Sequence, residues 1–248
     1  MTIQQAQVAP APTSLSTVTG ITGLANAITY ADTSGNCYVL YGVASTGFTV
    51  VKLSPSNTVL WTAAVSVSAT FNSAVGMVVD TQNNLYIAGY QTVSPGAMVI
   101  VKLLANGTFS WGRTYTTGVA SSLLVGASIG IDNNNNITVG ASYSPGTGVY
   151  NTAYILNIDV NGTLLWQRTL TSAVSIAFGV IVAVSPADNS VFVGLSDSTV
   201  TKYNSSGTLQ WSKALSGSVN GITGIVADIN GGVIFTRSEE RRVGKECL

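Results

Sequence analysis

A short turn motif closing on tryptophan recurs four times along this chain and accounts for every tryptophan in it. The copies are Ser56-Asn57-Thr58-Val59-Leu60-Trp61, Asn106-Gly107-Thr108-Phe109-Ser110-Trp111, Asn161-Gly162-Thr163-Leu164-Leu165-Trp166 and Ser205-Ser206-Gly207-Thr208-Leu209-Gln210-Trp211. The tryptophans stand 50, 55 and 45 residues apart. A period this long denotes a repeated supersecondary unit of several strands.

Each unit holds four short runs rich in β-branched and aromatic residues. In the second they cover 75–80, 84–89, 97–103 and 108–115, divided by Gly, Asn, Ser and Pro in the manner of hairpin turns. No stretch has a helical apolar period. The units run over roughly 25–65, 74–116, 126–170 and 178–215, and a fifth starts near Ile222. Four strands repeated at this period predict an all-β fold, a β-propeller of four complete four-stranded blades and a truncated fifth, as part of a ring of about six or seven. The first run of each unit is thick with Gly, Ala and Ser, which suits strands crowded around an axis. That run ends at Asp32, Asp80, Asp132, Asp188 and Asp228, each followed by Asn or Gly and then a hydrophobic strand. Aspartate bonds to its own backbone in turns, so these five are predicted hairpin residues.

Residues 1–12 are expected to be a loose leader, 13–236 the propeller and 237–248 a foreign tail. The first 236 residues carry six Lys/Arg, seven Asp and no Glu, whereas the last twelve carry four Lys/Arg and all three Glu. That tail, beginning Arg237-Ser238-Glu239-Glu240-Arg241-Arg242, resembles the translation of a short-read sequencing adapter, and the natural protein is expected to continue past Thr236. Leu15 to Gly23 resembles the stretch from Leu215 to Gly224, which suggests that the N-terminus supplies the last strand of a repeat and closes the ring. With Cys247 in the tail, Cys37 is left alone and is expected to be a small buried hydrophobe. The longest apolar run, 176–184, is nine residues, too short to span a bilayer and read as a strand. The first ten residues lack the basic and apolar regions of a signal peptide.

Lys52-Leu53, Lys102-Leu103 and Lys202-Tyr203, each followed by the turn and tryptophan, together with the Asp-led turns, resemble the bacterial and phage β-propeller repeats of the SBBP type. They are also similar to the tryptophan-docked blades of quinoprotein-like propellers. The resemblance covers roughly 13–236 and implies a scaffold that serves unrelated tasks. Asn157 replaces the lysine in the third unit.

Candidate site residues are repeat positions. Trp61, Trp111, Trp166 and Trp211 could form an aromatic platform for sugars, but one shared position predicts packing between blades. Asp132-Asn133-Asn134-Asn135-Asn136 begins like a calcium loop, yet Ile137 and Tyr143 stand where the glycine and bidentate glutamate belong, so turn chemistry is the better account. The lysines are too few for a nucleic-acid surface and are expected to be solvated strand ends. The sequence has no histidine, which removes Ser-His-Asp, Cys-His and common zinc arrangements. No catalytic, cofactor-binding or metal residue is assigned.

These features predict a non-enzymatic scaffold that is surface-exposed, secreted or virion-borne, binding a protein or glycan through loops at 91–97 and 142–151. The competing expectation is a fragment of a quinoprotein-like oxidoreductase or glycan-active propeller with its active site elsewhere.

Overall fold

The computed structural model describes residues 27–43, 47–65, 73–91, 95–119, 122–146, 148–176, 179–215 and 221–237. The predicted leader, the stretch 15–23 and the tail beyond Arg237 lie outside them. Eighteen strands and no helix make up the described chain. They form four four-stranded antiparallel meanders and one two-stranded sheet. The first blade is β1 (Ile28–Ala31), β2 (Cys37–Val43), β3 (Gly47–Leu53) and β4 (Val59–Val65). The second is β5 (Ser73–Val79), β6 (Leu85–Gln91), β7 (Ala97–Leu103) and β8 (Phe109–Thr116). The third is β9 (Leu123–Ile131), β10 (Ile137–Ser144), β11 (Thr152–Ile158) and β12 (Leu164–Thr171). The fourth is β13 (Val180–Val184), β14 (Val191–Leu195), β15 (Thr199–Tyr203) and β16 (Leu209–Ala214), and the fifth sheet is β17 (Ile222–Ala227) with β18 (Val233–Arg237). The all-β propeller expectation holds, with unit boundaries within a few residues of those predicted.

First strands meet first strands: β1 contacts β5, β5 contacts β9, β9 contacts β13 and β13 contacts β17. The small residues expected there are needed for a local reason. A Cβ on Gly76 would lie 2.8 Å from the Ile129 side chain, and one on Gly130 would lie 2.9 Å from Val184. Each glycine is a socket for an aliphatic residue of the next blade, so the sheets close on one another at interior density. The cores are the spaces between blades. Tyr38, Leu40 and Val50 of blade one pack on Met77, Leu85 and Ile87 of blade two. Tyr86, Ala88 and Ile100 pack in turn on Ile137, Val139 and Leu156, and Ala153, Ile155 and Trp166 on Val182, Val191 and Val193.

The tryptophans complete these joints from outside. Trp61 Nε1 donates to the carbonyl of Ala105 at 2.9 Å, and Trp166 Nε1 donates to that of Ser205 at 3.0 Å. Both acceptors lie in the outer hairpin turn of the following blade. The indole lies flat on the next residue but one of that turn: a Cβ on Gly107 would come within 2.8 Å of Trp61, and one on Gly207 within 2.7 Å of Trp166. A Cβ on Gly162 would lie 2.9 Å from the Arg113 stem, 3.1 Å from the Tyr115 hydroxyl and 3.2 Å from the far edge of Trp111. All three glycines have left-handed backbones, with φ between 76° and 84°. At the equivalent place in blade one, Asn57 takes the same left-handed form (φ 60°) with a side chain present.

Two expectations need correction. The apolar run 176–184 is not one strand: β13 starts at Val180, and Ile176 lies before it, fully buried, its carbonyl accepting from Ser142 Oγ and the Gly179 N–H. Cys37 is only half-buried.

The socket geometry gives a direct test. Gly207→Ala should destabilise the chain by about 2 kcal/mol or more, since the left-handed backbone disfavours a side chain and the new methyl displaces the Trp166 ring. The shift in urea midpoint measures it.

Candidate functional site

The chemistry-bearing side chains converge on the inner hairpin turns, between the first and second strands of each blade. At Asp32, Asp80, Asp132 and Asp228 the backbone N–H bonds to the carbonyl four residues on. One carboxylate oxygen accepts from the N–H groups two and four residues ahead: Ser34 and Asn36, Gln82 and Asn84, Asn134 and Asn136, Asn230 and Gly232, all at 2.7–3.0 Å. Such local bonding is what a short carboxylate does best in a turn. Asp188 differs from its expected place. Ser185 opens the fourth turn, and Asp188 sits inside it, one residue before the left-handed Asn189. Asp159, which sequence inspection left outside the turns, opens the outer turn of blade three and caps Asn161 and Thr163.

Behind each inner turn one rung of the sheet carries the repeat signature. Tyr38 pairs with Lys52 and Lys52 with Trp61; Tyr86 with Lys102 and Lys102 with Trp111; Phe192 with Lys202 and Lys202 with Trp211. The lysines are not the solvated strand ends that sequence suggested. Lys52 and Lys102 are only 7% and 9% exposed, each ammonium lying over the ring beside it, 4.8 Å from Tyr38 and 5.0 Å from Tyr86. Flanking aromatic rings cover the alkyl stem, and a polar partner receives the head. Lys52 reaches Asp32 at 3.7 Å, Lys202 reaches Asp188 at 3.3 Å, and Lys102 crosses the blade joint to the Val160 carbonyl at 3.1 Å. In blade three Thr138 and Asn157 take the aromatic and lysine places and bond to each other at 2.9 Å, both buried.

The electrostatics follow from these contacts. Burial pushes the Tyr38 and Tyr86 phenols far above their ordinary value of 10, and the neighbouring Asp32 and Asp80 charges push the same way. Each stays protonated and donates to its aspartate, at 3.2 and 3.1 Å. Tyr115, moved to about 12 chiefly by burial, donates to the Gly162 carbonyl of the next blade at 2.6 Å. For Asp32 burial acts to raise the pKa, but hydrogen bonds from Asn36 and Ser34 and the Lys52 charge outweigh it and hold the carboxyl below 3.8. Asp188 is lowered by Ser190 first, against burial, with help from Ser185 and Lys202.

The asparagine tract suspected of mimicking a calcium loop ties blades together. Asn135 exchanges two bonds with Thr81 of blade two, at 3.1 and 2.9 Å. Asn133 faces the other way, bonding Asn189 and the Pro186 carbonyl of blade four at 3.0 and 2.7 Å. Both Asp132 oxygens accept N–H donors, and no cluster of metal-ligating side chains occurs among the described residues. Between blades one and two the same position is open: a cavity of about 130 Å³ lies among Tyr30, Asp32, Thr33, Val79, Asp80, Thr81 and Asn83.

One feature escaped sequence inspection. The outer strand of every blade opens with exposed apolar side chains: Val59 and Leu60, Phe109, Leu164 and Leu165, Leu209. Their signal was present in the repeat motif itself, where an apolar residue stands two places before every tryptophan and, at Leu60 and Leu165, directly before it as well. The expected contact loops are also shorter than drawn, because Gln91, Ala97 and Ser142–Ser144 belong to strands and Ser142 and Ser144 are buried.

A family model for a PQQ-type repeat, PQQ_2, described as outer membrane protein assembly factor BamB, matches residues 151–245. The match covers less than half of the 248 residues, so the chain is similar to that family over its second half. Among solved structures, the Dos1 propeller matches with a TM-score of 0.53 at 9% identity, over 80% of this chain and 49% of that one. This chain thus spans about half the length of that propeller, and the likeness shows the fold alone. No curated protein matches.

Because Asp32, Asp159 and Asp188 have lowered pKa values, their contribution to stability is complete above 3.8 and is lost as pH falls through the lower folded values. Unfolding by urea at ~pH 6 and ~pH 3 should show the loss, and Asp188→Asn should make it smaller. An unchanged pH dependence in that variant would contradict the assignment.

Proposed function

We propose that this chain is a non-enzymatic propeller scaffold of an extracytoplasmic, cell-surface or virion structure, which binds a protein or glycan partner. The reading is carried by one observation: the side chains able to do chemistry are engaged in holding blades and turns. The aspartates cap their own turns, the buried lysines face carboxylates or a carbonyl, and the buried tyrosines donate to aspartates or backbone. An active site needs such groups free to meet substrate. What is offered outward is the row of apolar residues on the outer strands, with the exposed loop residues Pro95, Pro145, Gly146, Gly148 and Val149. Exposed apolar side chains repeated at one position in every blade suit a partner's surface.

The BamB description of the matched repeat agrees with a place at a cell envelope, and the SBBP-like motifs agree with a bacterial or phage surface protein. No helix among the described residues is long and apolar enough to cross a membrane. A quinoprotein-like oxidoreductase or a glycan-active propeller is the competing reading, since the matched repeat is of PQQ type.

Two assays on the purified chain separate these. Saturable binding on a glycan array or to an envelope-protein array, without turnover, and weakened by Leu60→Ser with Leu165→Ser, is the expected result. Dye reduction dependent on added quinone, or release of sugar from an arrayed glycan, would overturn it.

A further inference from the structure

Every joint between complete blades uses the same two unlike faces. One face of a blade carries the rung of Tyr38, Tyr86, Thr138 or Phe192, and it packs on the opposite face of the following blade. Counting from the turn that opens with Asp228, the fifth sheet has its own version of that rung, Val226 paired with Ile234. In the four complete blades the second-strand residue of this rung is at most 1% exposed, whether aromatic or Thr138. Ile234 is 60% exposed and Val226 55%. A face built to receive a blade is therefore uncovered in the described chain.

The opposite kind of face is uncovered at the other end. In the first sheet Thr29 pairs with Val39 and Ala31 with Cys37, the places held in blade two by Met77 with Ile87 and Val79 with Leu85. Thr29 and Ala31 are exposed, and Val39 and Cys37 half-buried. Neither face carries a charged residue on these rungs, so no desolvated ion opposes contact.

We propose that the Val226–Ile234 face of the fifth sheet docks the Thr29–Ala31 face of the first sheet of a second copy, so that copies associate head to tail. This pairing repeats the one orientation of the joints already present, whereas two Val226–Ile234 faces meeting would be an arrangement found nowhere among the described blades. A heterologous contact of this kind grows into open chains unless its rotation closes a ring. The proposal is independent of the binding function above.

Sedimentation velocity of the 248-residue chain over a concentration series tests it. Dimers and larger species should appear as concentration rises. Ile234→Glu and Ala31→Glu, both at exposed positions, should each weaken association by about tenfold or more. An equal mixture of the two variants should form dimers that grow no further, because each retains one working face, and that rescue also shows that both are folded. Val226→Glu with Thr29→Glu provides a second pair. A monomer at every concentration, association untouched by Ala31→Glu, or a mixture that fails to pair would each overturn the proposal.

Discussion

The structure depends on an indole laid flat against a peptide turn. Trp61, Trp111 and Trp166 leave their own blades at the outermost strand and reach a left-handed glycine in the outer hairpin of the next. In the joints of Trp61 and Trp166 the indole N–H also bonds a carbonyl of that turn. A propeller has no single core. Its stability resides in the joints between sheets, and an aromatic ring at the wide outer end closes the space that diverging sheets would otherwise leave open. The glycine follows from the ring: where an indole lies above the turn, no side chain fits.

The inner end of each joint is held by different means. There the strands converge, glycines receive aliphatic side chains from the next blade, and asparagines at the hairpin tips bridge neighbouring turns. The lysine rung lies between these two ends. Burying an ammonium is costly unless it is paired, and the repeat meets that need with an aromatic ring on one side and a carboxylate or carbonyl at the tip. Blade three shows how far the arrangement can change, because a threonine and an asparagine bonded to each other occupy the same rung. Among the joints between the complete blades, the one without an asparagine bridge among the described residues, between blades one and two, is also where the cavity lies.

Among the described residues, groups usually read as reactive are held in structural contacts. A carboxylate that accepts two or three N–H bonds within its own turn, or a tyrosine that donates to such a carboxylate, is committed to one geometry. The apolar residues that open the outer strands stay exposed.

The repeat architecture was legible in sequence because it depends on local rules. Strand runs and hairpin turns recur at a period that four tryptophans mark, and aspartate prefers the turn it opens. The burial of Lys52 and Lys102 was not legible, since lysine is exposed by default and only the apposition of Tyr38 or Tyr86 on one strand and Trp61 or Trp111 on another covers it. Nor was the shift at Asp188, where one extra turn residue passes the opening role to Ser185, or the bridging of blades by Asn133 and Asn135, whose partners lie more than fifty residues away. Sequence by itself determined the strands, the turns and their period, because those arise from neighbours along the chain. Which face of each blade is covered, and which charged groups are buried with it, was decided by the joints between blades, because burial depends on residues distant in sequence.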